Sequence, residues 1–270
     1  MLLSVIIPTK NEALKIRDCI SSFTKFQAKG VLEVIVVDNS STDNTCAIAT
    51  ESGARVVTCG PERSSQRNRG GIIESKGDYI FFVDADMTVP EATMNEIICA
   101  IERPDAPDAM YVRETMTGST LFTKIRNFER SFYDATCIDG LRVFKRKVFT
   151  QVQGFDENMY AAEDWDLDRR VMGITTRISI TKQSLLHNEG DLSLFRLLRK
   201  KSYYAGNFDR YRKKWNDDEI TRKQYGLKYR LFIVFTEDGK WKRAITRPHY
   251  ILAIWLYKIL VGFVFFVKGR

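Results

Sequence analysis

Residues 78–86 read Asp-Tyr-Ile-Phe-Phe-Val-Asp-Ala-Asp, and this stretch decides the fold. Tyr79 to Val83 is a short, wholly apolar run rich in strand formers, with Gly77 and Asp78 ahead of it. A half-exposed strand alternates. A continuous apolar run of this length suits a strand buried on both faces of a parallel sheet. The run ends in two carboxylates, Asp84 and Asp86, one residue apart. Buried carboxylates are costly unless a cation compensates them, and a parallel sheet binds ligands outside the carboxyl ends of its strands. The expectation is a divalent cation at Asp86 with a phosphorylated ligand on that cation. The competing reading of Asp84-Ala85-Asp86 is a plain turn, because Asp is a common turn residue.

Upstream, the same unit recurs. Leu2 to Ile7 reads as a first buried strand closed by Pro8, followed by a polar turn, Thr9 to Glu12. Ile16, Cys19, Ile20 and Phe23 then recur at helical spacing, which predicts one amphipathic helix over Glu12 to Phe26. Val34 to Val37 is a second strand, ending in Asp38 and a loop of Asn, Ser, Thr and Asp that opens another helix. Arg55 to Thr58 is a third strand, Ser64 to Ser75 a helix, and Tyr79 to Val83 the fourth strand. A β-α-β-α-β-α-β order predicts a parallel sheet with right-handed crossovers in a layered α/β domain. It gathers Pro8, Asp38, Asp84 and Asp86 at one edge. No Gly-x-Gly-x-x-Gly follows the first strand, which argues against a dinucleotide-binding Rossmann domain. No P-loop motif is present either. Asp38 either caps its turn or meets a base or ribose. Arg63, Arg67 and Arg69 either line a solvated helix face or recognise phosphate.

The first 190 residues resemble glycosyltransferase family 2, with its nucleotide-sugar-binding GT-A fold. The resemblance is carried in order by Ser4 to Glu12 (SVIIPTKNE), Val36 to Asp43 (VVDNSSTD), Arg67-Asn68-Arg69-Gly70, Asp84-Ala85-Asp86, Gly154-Phe155-Asp156-Glu157 and Glu163 to Leu167 (EDWDL). It implies a role for each matching residue. Pro8 lies in the first of these segments, on the substrate side. Asp38 contacts the nucleotide base and Asp84 the ribose, while Asp86 ligates Mg²⁺ or Mn²⁺ bridging the diphosphate. Arg67 and Asn68 lie beside the nucleotide. Glu163 and Trp165 flank Asp164, the expected general base. His187 follows the last strand, where related enzymes use a His to complete the metal site or meet the diphosphate; by position alone it is equally a structural or surface His. The chemistry demands these types. A diphosphate leaving group needs its charge neutralised, and an acceptor hydroxyl must give up a proton to a carboxylate within reach as it attacks. One base and direct displacement imply inversion.

Between the motifs, Glu91 to Ile101 reads as a helix, Ala109 to Val112 as a strand, and Leu121, Ile125, Phe128 and Phe132 as the apolar stripe of another helix. Leu141 to Phe144 and Ile174 to Thr181 read as further strands. Glu163, Asp164, Asp166 and Asp168 also suit a helix N-terminus, where the macrodipole favours carboxylates.

The chain has 270 residues and a net charge of +8, unevenly placed. From Asp191 onward there are 19 Lys+Arg and 7 Asp+Glu, a net of +12, and the preceding residues carry 23 and 27, a net of −4. The expected division is a catalytic domain over 1–190 and a basic, apolar helical tail over 191–270. Leu194, Leu197, Leu198, Tyr203, Tyr204, Phe208, Tyr211 and Trp215 interleave with basic residues, which suits an anionic bilayer surface. His249 to Val267 is the most apolar stretch and contains one charge, Lys258. Its length is marginal for a span, and a central Lys is unfavourable there by roughly 3 kcal/mol. A helix lying in the cytoplasmic leaflet is expected, with a true span and a packed soluble helix as competitors. Five cysteines without a C-x-x-C pair suggest reduced thiols in a cytosolic compartment. No signal peptide is visible.

Together these readings predict an inverting, metal-dependent glycosyltransferase. It would use a nucleoside diphosphate sugar and a lipid-linked or glycan acceptor at a membrane surface, with no nucleic acid partner. Polyprenyl phosphate as acceptor is a close variant. A sugar nucleotidyltransferase lacks its Gly-rich loop here, and a non-catalytic membrane scaffold is the remaining class.

Overall fold

The computed structural model describes residues 2–188, 190 and 209–268. Of the expected basic amphipathic segment from Asp191 to Trp215, residues 191–208 lie outside the described residues, and Asp209–Lys214 is helical. In order the elements are β1 (Leu3–Thr9), α1 (Ile16–Ser21), α2 (Thr24–Ala28), β2 (Leu32–Asp38), α3 (Thr45–Glu51), β3 (Arg55–Thr58) and α4 (Arg63–Asn68). Then come β4 (Tyr79–Phe82), β5 (Met87–Thr88), α5 (Glu91–Ile101), β6 (Ala109–Met116) and α6 (Leu121–Arg130). After these stand β7 (Leu141–Lys145), α7 (Arg146–Gln151), α8 (Glu163–Met172) and β8 (Ile178–His187).

Among the described residues the strands form one eight-stranded sheet in the order β3-β2-β1-β4-β7-β6-β8-β5. β1 runs parallel to β2 and β4, and β2 parallel to β3, as the alternating pattern requires. β7 runs antiparallel to both β4 and β6, and β5 antiparallel to β8, so the sheet is mixed. The apolar runs are continuous because both sheet faces are covered. Val5, Ile7, Val34, Val36, Phe81 and Val83 enter one core with Ile20, Phe23 and Ile97. Their neighbours in sequence, Ile6, Ile35, Val37, Ile80 and Phe82, enter a second core with Phe144, Phe149, Phe155 and Leu167. Each such side chain contributes about 1.5–3 kcal/mol on burial.

One expected helix is broken and a second changes pitch. The expected Glu12–Phe26 helix begins at Ile16 and is split into α1 and α2, with Ser22 and Phe23 between them. Ser21 and Ser22 turn their hydroxyls back onto the carbonyls of Arg17 and Asp18, which competes with the helical ladder. The Ser64–Ser75 helix is α4 followed by a π-helical turn over Arg69–Glu74. That turn carries Gly70 and Gly71 past the sheet: a Cβ on Gly70 would lie 2.3 Å from Ile6 Cγ2, and one on Gly71 3.0 Å from Phe149 Cε1. The last strand starts at Ile178 instead of Ile174 and runs on to include His187. All five cysteines are free thiols.

The chain divides into two compact units. The first comprises Met1–Thr115, Gly140–Asn158 and Glu163–Asn188, and holds the sheet. The second comprises Met116–Asp139, Met159–Ala162 and Glu189–Arg270. Its core is built from Phe132, Tyr229, Val234, Phe235, Ile251 and Ile254. The apolar stretch anticipated near the C-terminus is a helix over Pro248–Lys268. No helix among the described residues is long and apolar enough to cross a membrane. Lys258 explains its own presence in that helix: it turns inward, with Nζ 3.3 Å from Glu129 Oε1 and over the rings of Tyr133 (5.1 Å) and Phe235 (4.9 Å).

Candidate active site

The site is assembled at the carboxyl ends of the parallel strands. Asp38 ends β2 opposite Thr9 of β1, and Pro8 lies opposite Val37. β1 and β4 pair as far as Ile6 and Phe82, so the chain leaves β4 at Val83 and turns through Asp84 and Asp86 at the same edge. Met87 then pairs with His187 of β8. That register sets His187 beside Asp86, with Nε2 3.2 Å from Asp86 Oδ2. The Asn188 N–H donates to the Asp86 carbonyl (2.8 Å) and closes the turn.

Arg67 is the second organising residue. It leaves the last turn of α4 and its side chain is 4 % exposed. Nη2 donates to Asp84 Oδ1 (3.1 Å) and Nη1 to Asp164 Oδ1 (3.0 Å), so one guanidinium ties the β4 edge to the start of α8. The ring of Phe155 lies beneath it, 5.1 Å away. Burial alone would push the Asp84 carboxyl up. Arg67, Arg142, Arg63 and His187 outweigh that and hold it well below the usual carboxylate range. Burial would likewise push His187 down, but carboxylates face both of its nitrogens, and Asp86 and Glu114 push it up to about 9.

The remaining expected residues divide. Asp38 is buried and accepts hydrogen bonds from the Ser41 backbone (2.8 Å) and hydroxyl, so it does cap its own turn. Asn68 is fully occupied with the 154–157 loop: it accepts from the Phe155 N–H (2.8 Å) and donates to the Phe155 carbonyl (2.9 Å) and Glu157 (2.9 Å). Two separate sequence motifs thus meet through one amide. Gly154 takes a positive φ of 64° there, and a Cβ on it would lie 2.3 Å from Asn68 Oδ1. Glu163, Asp164 and Trp165 open α8. Glu163 is pushed up by burial and by neighbouring Asp164, against Arg67 and Arg63. The other members of the acidic cluster hold structure: Asp168 accepts from the Leu141 N–H (3.1 Å), and Asp166 pairs with Arg170 (2.8 Å).

Three contributors were not anticipated. Lys15 stands 3.8 Å from Asp86 Oδ2. Glu114 on β6 faces His187 Nδ1 (2.7 Å), and its other oxygen accepts from Arg142 Nη2 (2.7 Å) on β7. Arg142 Nη1 in turn lies 3.9 Å from Asp84. The available signal was charge in strand-forming stretches, at Glu114 just past the apolar run of β6 and at Arg142 within β7.

The donor set fits a divalent cation. Asp86 offers an oxygen and His187 a nitrogen, a pair suited to Mn²⁺ and tolerable for Mg²⁺. Glu12 beside the pair is pushed up chiefly by burial; Lys15 opposes this, and Asp86, Asp43 and Asp84 add to it. Among the described residues no group of three His, Cys, Asp or Glu forms a protein-only metal cluster. A cation held by Asp86 and His187 would take its remaining ligands from phosphate and water.

Comparison with known proteins gives the family and the fold. The chain is 27% identical over 197 residues to the probable glycosyltransferase YdaM of Bacillus subtilis, covering 63% of this chain and 46% of that protein. It is 34% identical over 164 residues to the low-salt glycan biosynthesis hexosyltransferase Agl6 of Haloferax volcanii, covering 53% of this chain and 38% of that protein. The chain thus spans less than half the length of these relatives. In fold it is similar to the mannosyltransferase PcManGT of Pyrobaculum calidifontis, solved with GDP-Man and Mn²⁺, at a TM-score of 0.67 and 16% identity, over 99% of this chain and 88% of that one. It is also similar to glucosyl-3-phosphoglycerate synthase of Mycobacterium tuberculosis, solved with Mn²⁺, UDP and glucosyl-3-phosphoglycerate, at 0.52 and 20%, over 77% of this chain and 79% of that one. The family profile described as Glycosyl transferase family 2 matches residues 4–153. With more than half its length matched and its strand-end carboxylates in place, the chain belongs to glycosyl transferase family 2, with the GT-A fold.

Proposed function

We propose that this chain transfers a hexosyl group from a nucleoside diphosphate sugar to a hydroxyl of a lipid-linked or glycan acceptor, with inversion. One observation carries the reading: Asp86 with His187, and Asp84–Arg67–Asp164, converge at the carboxyl edge of the parallel strands. The printed activities of relatives, a hexosyltransferase and a structure with GDP-Man and Mn²⁺, support it.

Bound Mg²⁺ or Mn²⁺ at Asp86 and His187 would neutralise charge developing on the diphosphate leaving group. The chain's own groups do the rest. Pro8, Asp38 and Asp84 line the donor edge, and Arg67 orients Asp84 and Asp164 together. Asn68 acts there through the loop it holds. Asp164 accepts the acceptor hydroxyl proton as the new C–O bond forms opposite the departing diphosphate. Glu163 and Trp165 frame that carboxylate on the same helical turn.

The acceptor is proposed to lie at an anionic bilayer, on its cytoplasmic face. On the Pro248–Lys268 helix, Ile251, Ile254, Tyr257 and Lys258 are buried. Leu252, Leu256, Ile259 and Phe263, spaced as a straight stripe, are 56–67 % exposed. Exposed Lys242, Arg243 and Arg247 precede the stripe. An apolar stripe flanked by bases complements a negatively charged membrane surface.

The test is transfer of labelled sugar from UDP- or GDP-hexoses to membrane lipid extracts and glycans. Asp164→Asn is expected to lower kcat by about 10²–10⁴ while leaving nucleotide binding intact. Transfer that survives the substitution would point to an acceptor that is already an anion, such as polyprenyl phosphate. Absence of both transfer and donor hydrolysis would favour a non-catalytic binding protein.

A further inference from the structure

We propose that Glu114 is the positioning residue of His187, setting which imidazole nitrogen faces the cation, and that Arg142 locks Glu114 in that task. The inference rests on the metal-dependent reading above. Glu114 is a carboxylate with 3 % of its side chain exposed, on a strand whose Ala109 to Val112 and Met116 are core residues. Such burial is unfavourable without specific partners, and each of its oxygens meets a different one. Oε1 lies 2.7 Å from His187 Nδ1, and Oε2 accepts from Arg142 Nη2 at 2.7 Å.

The consequence for His187 is chemical. A neutral imidazole carries one N–H and one lone pair. An ionised carboxylate only accepts hydrogen bonds, so the proton stays on Nδ1, facing Glu114. The lone pair then sits on Nε2, the nitrogen 3.2 Å from Asp86 Oδ2. When a cation displaces the proton from Nε2, the freed lone pair and the Asp86 oxygen are aimed at one point. Arg142 restrains Glu114 from the far side and lies 3.9 Å from Asp84 Oδ2. One continuous line of charges thus runs from Asp84 through Arg142 and Glu114 to His187 and Asp86. The carboxylate expected beside the ribose and the imidazole expected at the cation share a support.

Mn²⁺ affinity measured by electron paramagnetic resonance, with UDP or GDP present, tests the role. Wild type is compared with Glu114→Ala, His187→Ala and the double variant. Loss of an outer carboxylate behind a metal-bound His weakens metal binding about 10–100-fold, and Glu114→Ala is expected in that range. The double variant should bind no more weakly than His187→Ala, because a residue that acts through another has no effect once that other is gone. A full additional loss in the His187→Ala background would show a field effect and overturn the proposal, as would unchanged affinity in Glu114→Ala. A second readout needs no substitution. In wild type with Mg²⁺ and nucleotide, ¹⁵N spectra should show His187 protonated at Nδ1, and a bare Nδ1 would overturn the proposal. Wild type that binds no metal–nucleotide pair would instead sink the underlying reading, a distinguishable outcome.

Discussion

Replacing Arg67 by Met removes the guanidinium and keeps most of the volume over Phe155. Its consequence follows from the two bridges. Breaking a buried ion pair by deleting one partner costs about 3–5 kcal/mol, because the other charge is left uncompensated. Two features reduce that figure here. The Asp164 side chain is 46 % exposed, so its lost bridge counts as a surface pair, about 1 kcal/mol or less. Asp84 keeps Arg142 at 3.9 Å as a second cation. The net expectation is a loss of about 2–3 kcal/mol, most of it from Asp84. Urea unfolding of Arg67→Met at pH 7 measures it, and Asp164→Asn provides the control. The control should cost no more than about 1 kcal/mol, since only the exposed bridge is lost. Arg67→Met stability within about 0.5 kcal/mol of wild type, the range of an ordinary surface change, would refute the view that this guanidinium ties α4, the β4 edge and α8 together.

Three further outcomes are expected. Gly77→Ala should destabilise by about 1–3 kcal/mol in thermal or urea melts, because its Cβ would lie 2.6 Å from the Ser4 backbone nitrogen and force β1 to shift. Asp108 is held below the usual carboxylate range chiefly by its hydrogen bonds with Arg177, with Thr175 adding to them. Its pairing therefore contributes in full above pH ~4 and is lost as pH falls through the lowered folded value. In urea melts Asp108→Asn should be less stable than wild type at pH 7, with the difference shrinking towards pH 3. Leu256→Glu with Phe263→Glu should abolish sedimentation with phosphatidylglycerol vesicles and leave nucleotide binding unchanged. Equal sedimentation of variant and wild type would remove the membrane-facing role of that stripe.

The carboxylate-bearing edge of the sheet was legible in the sequence because its parts are local. An apolar run buried on both faces announces a parallel strand, and its end announces where ligands sit, so Pro8, Asp38, Asp84 and Asp86 could be grouped without coordinates. His187 was legible only as a residue near a strand end. Its place beside Asp86 comes from the pairing of Met87 with His187, a long-range register that no local pattern encodes. The same holds for Glu114 and Arg142, which sit on different strands and meet through the reversal of β7. The direction of β7 has no signature in five residues of strand. Asn68 was read as lying beside the nucleotide, while its amide fastens Phe155 and Glu157. The helix break at Ser22 and Phe23 and the π-helical turn after Asn68 escaped periodicity because side-chain hydroxyls and the close approach of Gly70 to Ile6 override it. Lys258 stands alone in an apolar stretch of sequence because its partner, Glu129, comes from α6, far away in the chain.

The central claim is a cation-dependent nucleotide site at Asp86. Thermal stabilisation of the purified, detergent-solubilised protein by UDP and GDP, with and without Mn²⁺, tests it most directly. The account predicts that one nucleotide raises the melting temperature only when Mn²⁺ is present, and that Asp86→Ala abolishes the rise. A folded protein that no nucleotide stabilises, or one whose stabilisation is indifferent to both Mn²⁺ and Asp86→Ala, would contradict it.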